Sequence, residues 1–318
     1  MKNILITGGC GFIGSNFINY FYRKYEGVHI YNIDAMYYCA SEQNIDEDIR
    51  NSSRYTLIKG NLCSFELVKH IVNYYNIEYI IHFAAQSHVQ NSFDDSLQYT
   101  KDNIVGTHNL LEVVRQNGSI KKFIHVSTDE VYGESMIDKT ENKKTEESIL
   151  CPTNPYAATK AGAELIAQSY YHSFNVPIII TRGNNVYGPN QYPEKIIPLF
   201  IKLLKEDGKV TIQGDGTNVR AFIHVFDVVR AFDVILEKGV IGEIYNIGSD
   251  DNEEYSVKHV AEMLIKKIKK TEAYSDHIAY IKDRPFNDKR YYISNEKIKN
   301  IGWSIKENFE DGINKLID

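Results

Sequence analysis

Along the first 183 residues, short apolar runs alternate with longer stretches whose apolar positions recur every three or four residues. Residues 2–7, 29–34, 56–59, 79–84, 122–127 and 177–182 read as strands, and residues 15–25, 66–75, 103–117 and 156–174 as the helices among them. Continuous apolar strands separated by helices call for a parallel sheet covered on both faces. After about Gly183 the pattern changes. Pro189, Pro193 and Pro198 fall in what reads as a loop, the elements shorten, and one more helix is expected over residues 257–269. The expected organisation is a first domain over 1–183 with a returning segment near 222–248, and a smaller, interleaved α/β domain over 184–318. There is no internal repeat and no low-complexity segment.

Composition narrows this little. The 318 residues are 43% hydrophobic and 25% charged, as in an ordinary soluble protein with a sizeable core. A net charge of -6 gives no reason to expect nucleic acid or an anionic membrane as partner. The cysteines, Cys10, Cys39, Cys63 and Cys151, form no CxxC pair and point to a reducing, cytoplasmic setting. The N-terminal apolar run is too short for a signal peptide, and no run reaches the ~18 residues of a membrane span. The lysine-rich stretch at 266–270 reads as a solvated helix end, where cations suit the dipole. The Asn-x-Ser triplets at Asn51 and Asn117 read as chance. His82, His88 and His125 lack metal-site spacing, and no metal is expected. No GxSxG elbow supports a serine hydrolase.

The first strand runs straight into Gly8, Gly11 and Gly14, a GxxGxxG turn that opens the first helix. Such glycines allow a tight turn, close approach of a pyrophosphate and close helix packing, and the helix N-terminus offers free N–H groups to the phosphates. Phe12 and Ile13 lie within this turn. The fold expected is therefore a Rossmann-type doubly wound parallel sheet, with NAD as cofactor. Asp34, at the end of the second strand, is placed to accept from the adenosine ribose hydroxyls and to repel a 2′-phosphate, favouring NAD over NADP. Asn61 and Leu62, after Gly60, are placed near the adenine. Ala84, Ala85 and Ser87 follow the fourth strand along the ribose side, and Asp102 is a further cofactor-side candidate. Tyr156 and Lys160 form a YxxxK pair on one helix face. A nearby ammonium and a positive nicotinamide would favour the phenolate of Tyr156.

With these motifs the chain resembles the extended short-chain dehydrogenase/reductase family over essentially its whole length. The segment Ser127-Thr128-Asp129-Glu130-Val131-Tyr132-Gly133 resembles that of nucleoside-diphosphate-glucose 4,6-dehydratases. So do the loop from Tyr187 to Pro198, Asn218-Val219-Arg220, and the segment from Asp283 to Tyr291. The wording is most like the UDP-glucose dehydratase domain of rhamnose synthases, then the dTDP-glucose enzymes. The resemblance implies a lyase that opens rhamnose and other deoxysugar synthesis from UDP-glucose or dTDP-glucose. Tyr156 would take the C4 hydroxyl proton, Thr128 would bond that oxygen, Glu130 would take the C5 proton, and Asp129 would protonate the departing 6-hydroxyl. Two carboxylates with opposite tasks need different pKa values. Ser87, Thr128, Asn185, Glu194 and Lys195 would meet the sugar. Arg220 and Arg284 would hold the diphosphate, and Asn246 would lie on the nucleotide side.

Three positions depart from the family wording: Asn61, Gln90 and Ala221 each stand where Asp is usual. The alternatives are a 4-epimerase or decarboxylase on the same scaffold, or a non-catalytic NAD-binding regulator. The Asp129–Glu130 pair argues against the former and Tyr156 with Lys160 against the latter. Family members commonly pair the two helices at 103–117 and 156–174 into a four-helix dimer interface. Leu110, Leu111, Leu165 and Ile166 would serve it in a homodimer.

Overall fold

The computed structural model describes residues 2–136, 142–250, 253–283 and 286–317. Six strands of the first part are β1 (Asn3–Thr7), β2 (His29–Asp34), β3 (Tyr55–Lys59), β4 (Tyr79–His82), β5 (Lys122–Thr128) and β6 (Ile178–Gly183). The remaining strands are β7 (Asn185–Tyr187), β8 (Val210–Gln213), β9 (Val219–His224), β10 (Ile244–Ile247), β11 (Glu254–Ser256) and β12 (Ile278–Ile281). The main sheet has seven strands in the order β10-β6-β5-β4-β1-β2-β3. All its pairings are parallel. The chain winds outward from β1 through β2 to β3, then crosses to β4 on the other side. The crevice between β1 and β4 is thus the switch point at which doubly wound sheets bind ligands.

Strand residues alternate between two apolar layers. Ile4, Ile6, Ile81 and Ile124 pack toward Phe17, Phe21 and Phe232. Leu5, Ile80 and Phe123 pack on the opposite face with Leu110, Leu111 and Val114. This corrects the expected dimer face in part: Leu110 and Leu111 are fully buried in the core, because the helix Gly106–Asn117 turns that side to the sheet. Leu165 is 55% exposed. The helix boundaries also shift. The first helix begins at Phe12, directly after the glycine turn. The helix expected from residue 103 is preceded by a wider turn over residues 100–105, and regular helix begins only at Gly106. Pro198, expected in a loop, sits in the first turn of a helix, Ile196–Lys205, where its missing N–H costs nothing.

β9 pairs with both β7 and β11, and β8 with β12, making two small sheets around a third apolar cluster that includes Phe200, Phe222 and Phe309. β10 returns to the edge of the main sheet beside β6. No described helix is long and apolar enough to cross a membrane.

Candidate active site

A cavity of about 560 Å³ opens at the carboxyl ends of the main-sheet strands and extends to the small sheets. Its first wall is the glycine turn. Gly8 has φ +70°, and a Cβ there would lie 2.7 Å from the Ala84 backbone. A Cβ on Gly14 would lie 2.4 Å from the Gly8 carbonyl oxygen. Only glycine lets β1, β4 and the first helix approach this closely. The helix Phe12–Lys24 has no side-chain cap at Gly11 and no acidic residue in its first turn, so its positive end faces the cavity uncompensated. A dinucleotide pyrophosphate fits this cradle.

Asp34 ends β2, where its carboxylate accepts from Cys10 N at 2.9 Å and Met36 N at 2.8 Å. Burial pushes its pKa up, and the two backbone bonds work against that. Asn61, Leu62, Ala84, Ala85, Ser87 and Asp102 all line the same cavity, as do Phe12 and Ile13. The oxygen of Asn61 accepts from Cys63 N at 2.7 Å.

β5 delivers the next group. It ends at Thr128, and the chain then makes one helical turn, Asp129–Tyr132. Thr128 Oγ1 accepts from Glu130 N at 3.3 Å and donates to Asp129 Oδ1 at 3.2 Å. Glu130 and Thr128 face the cavity together with Tyr156 and Lys160. Asp129 does not line it: its side chain lies behind Thr128, 2% exposed, where Asn184 donates to Oδ2 at 2.6 Å. Burial and the Glu130 charge push Asp129 up to about 7, opposed by the bonds from Asn184 and Thr128. Glu130 is also raised, chiefly by burial, against a bond of 2.9 Å from Asn154.

The helix Pro155–Phe174 carries Tyr156 and Lys160, with Asn154 capping it by accepting from Ala157 N. Burial and the nearby Glu130 and Asp129 raise the phenol of Tyr156, while a bond with the Thr128 hydroxyl lowers it. In the protein without bound nicotinamide, therefore, the surroundings favour the neutral phenol. The Lys160 ammonium is directed to Val126 O at 2.6 Å, and burial pulls its pKa down to about 8.

On the far wall, Asn185, Glu194, Lys195 and Arg220 line the cavity. Glu194 accepts from Tyr38 OH at 2.8 Å, and Lys195 donates to Ser87 O at 2.9 Å. Arg220 lies over the Tyr291 ring, 5.3 Å to its centroid, and donates to Asn287 at 3.2 Å. Of the described residues assigned to substrate from the sequence, one is not brought here. Asn246 does not line the cavity: it is fully buried in β10, where it accepts from Tyr132 OH at 2.8 Å and its N–H donates to Glu146. Arg284 lies outside the described residues. Conversely, Asn154, Asp288 and Tyr291 were not singled out, yet all three line the cavity. Tyr291 OH donates to Asp288 at 2.5 Å and reaches Glu130 at 3.4 Å. Among the described residues, no group of three or more His, Cys, Asp or Glu side chains could hold a metal ion.

The profile of the GDP-mannose 4,6 dehydratase family matches residues 5–316. A trifunctional UDP-glucose 4,6-dehydratase, 3,5-epimerase and reductase of Arabidopsis thaliana is 47% identical over 317 residues, covering 100% of this chain and 47% of that protein. The chain thus spans about half the length of three such Arabidopsis relatives. The human dTDP-D-glucose 4,6-dehydratase is 44% identical, covering 100% of this chain and 89% of that one. A crystal structure of dTDP-glucose 4,6-dehydratase from Bacillus anthracis in complex with NAD superposes with a TM-score of 0.90 at 40% identity, covering 100% of this chain and 96% of that chain. On sequence and fold together, the chain belongs to the GDP-mannose 4,6 dehydratase family.

Proposed function

We propose that the protein is an NAD-dependent nucleoside-diphosphate-glucose 4,6-dehydratase, a hydro-lyase that converts UDP-glucose or dTDP-glucose to the 4-keto-6-deoxy sugar nucleotide. The observation that carries this reading is the pairing of Asp129, pushed up to about 7, with Glu130 on the cavity wall beside Tyr156. A 4-epimerase or a decarboxylase has no water to expel from C6 and no use for a second, protonated carboxyl. A nucleotide sensor has no use for Tyr156 and Lys160.

The C5 proton of glucose is not acidic until C4 is a ketone, so oxidation must precede loss of water. The glycine turn and Asp34 would hold NAD, which would supply the hydride acceptor for C4 and the source of the hydride restored at C6. Tyr156 takes the C4 hydroxyl proton, and Thr128 bonds that oxygen. Lys160 places a positive charge behind Tyr156 and favours its deprotonation once the site is filled. Glu130 removes the C5 proton. Asp129 gives its proton to the departing 6-hydroxyl along a route past Thr128, whose hydroxyl already touches it. Glu194 and Lys195 bind the hexose with Asn185 and Ser87. Arg220 and Arg284 neutralise the diphosphate, which suits the guanidinium fork.

The chain divides accordingly into a cofactor part, 1–183 with the returning segment near 222–248, and a mainly substrate-binding part, 184–318. The return of β10 to the main sheet supports that division. The protein acts in the cytoplasm, in keeping with its four free cysteines, as a homodimer joined through the helices Gly106–Asn117 and Pro155–Phe174, with the exposed Leu165 at the contact. The test is incubation with UDP-glucose and, separately, dTDP-glucose, following loss of one water by mass and the keto product by its alkaline absorbance. Product from either supports the dehydratase, and the kcat/KM ratio assigns the base, since room for one methyl group is worth about 1–3 kcal/mol. A 4-epimer without loss of water would overturn the roles of Asp129 and Glu130.

A further inference from the structure

We propose that Asp102 recognises the adenine of the bound dinucleotide by accepting a hydrogen bond from its exocyclic amine. This rests on the NAD reading above. Asp34 marks the ribose position, and Asn61 and Leu62, which follow β3, form the next part of the wall. Adenine presents a donor there and needs an acceptor. Asn61 carries no charge, and one of the two acceptor positions of its oxygen is already taken by Cys63 N.

The polar side chains at this corner form a directed series. Asn61 Nδ2 donates to Tyr37 OH at 2.8 Å, and Tyr37 OH donates to Asp102 Oδ1 at 3.2 Å. From the other side, Gln86 Nε2 at 3.0 Å and Gln98 Nε2 at 2.8 Å both donate to Asp102 Oδ2. Tyr37, Gln86 and Gln98 donate directly to Asp102, and Asn61 through Tyr37, so Asp102 is the terminal acceptor, and it lines the cavity. An ionised carboxylate has about four lone-pair positions. Oδ2 is filled by two amides, whereas among the described residues Oδ1 holds only the long bond from Tyr37 and a 4.0 Å approach of Cys63 Sγ. Oδ1 therefore has capacity for an incoming amine. The two glutamines orient the carboxylate before any nucleotide arrives, which limits the ordering cost of binding.

The experiment is calorimetric titration of nucleotide-free protein with NAD and with nicotinamide hypoxanthine dinucleotide, which carries a carbonyl oxygen in place of the amine. The unaltered protein should bind NAD at least about tenfold more tightly, because a charged hydrogen bond is replaced by two opposed oxygens. Asp102→Asn, which keeps the side chain's shape, should reduce that ratio several-fold. Asp102→Ala, checked for folding by its melting temperature, should bring the ratio to about one by the same reasoning. Equal binding of the two dinucleotides by the unaltered protein overturns the proposal. So does a full ratio in Asp102→Ala, which would move the role to the Asn61 oxygen. Binding of neither dinucleotide overturns the cofactor reading itself, and this inference with it.

Discussion

Asn184, the residue between β6 and β7, donates its side-chain amide to Asp129 Oδ2 at 2.6 Å. That bond favours the ionised form of Asp129, while burial and the Glu130 charge favour the protonated form, and the balance lies at about 7. A general acid works only while protonated, so elimination is expected to fail as pH rises through this value. Asn184→Ala removes an opposing influence and should raise the Asp129 pKa further. The alkaline limb of the kcat profile for water loss should then move to higher pH. A limb that stays in place or moves down would show that Asp129 is not the acid.

In the proposed reaction Glu130 and Tyr156 serve different steps, so their removal should leave different residues of activity. Glu130 is raised by burial, and its active form is the carboxylate, so activity should be lost on acidification at a higher pH than for a free glutamate. Glu130→Gln should cut product formation about 10²- to 10⁴-fold while C4 oxidation persists, so reduced cofactor accumulates on mixing with substrate. Tyr156→Phe should cut product to a similar extent with no such accumulation, because the first proton transfer is lost. Stopped-flow absorbance of the reduced nicotinamide separates the two, and accumulation in both variants would contradict the assigned order of steps.

What the sequence revealed and what it hid follow from chain distance. Gly8, Gly11 and Gly14 are legible because one turn contains the whole device, and Tyr156 with Lys160 because helical spacing puts them on one face. The partners that tune these groups have no local signature. Asn154 reaches Glu130 across 24 residues of sequence, Asn184 reaches Asp129 across 55, and Tyr291 reaches Glu130 across 161. Only the register of β5 against β6, with Thr128 beside Gly183, brings Asn184 to Asp129. Asn246 failed for a related reason. A strand turns successive side chains to opposite faces, and the sequence gives no sign that Asn246 takes the face of Tyr132. Leu110 and Leu111 show the limit of counting apolar residues on a helix: a wide stripe can be all core.

The glycine turn makes a prediction about binding that does not depend on turnover. A methyl group at position 14 would meet backbone atoms, the Gly8 oxygen at 2.4 Å and the Gly9 Cα at 2.8 Å, and neither can step aside without opening the turn. Gly14→Ala is therefore expected to lower the melting temperature and to abolish the rise that added NAD gives the unaltered protein. At Gly27, where a Cβ would meet nothing within 4 Å, an alanine should leave both quantities unchanged. Thermal melts with and without NAD decide it, and an unaltered NAD response in Gly14→Ala would exclude the turn as the pyrophosphate site.

Lys160 is a group the fold keeps at a cost. Burial pulls its pKa from 10.5 to about 8, with Glu164 one turn further on acting in the opposite direction. At pH 7 the ammonium is charged in both the folded and the unfolded chain, and its desolvation weakens the fold. Between about pH 8 and 10.5 the folded protein has shed this proton and the unfolded chain still holds it, so stability from this group rises with pH there. Lys160→Met should consequently raise the melting temperature of the nucleotide-free protein at pH 7 by a few degrees, while removing turnover. The advantage should shrink as the pH is taken from 8 toward 10. A lower melting temperature at pH 7 would mean that the bond from Lys160 to the Val126 carbonyl outweighs the cost of burying the charge.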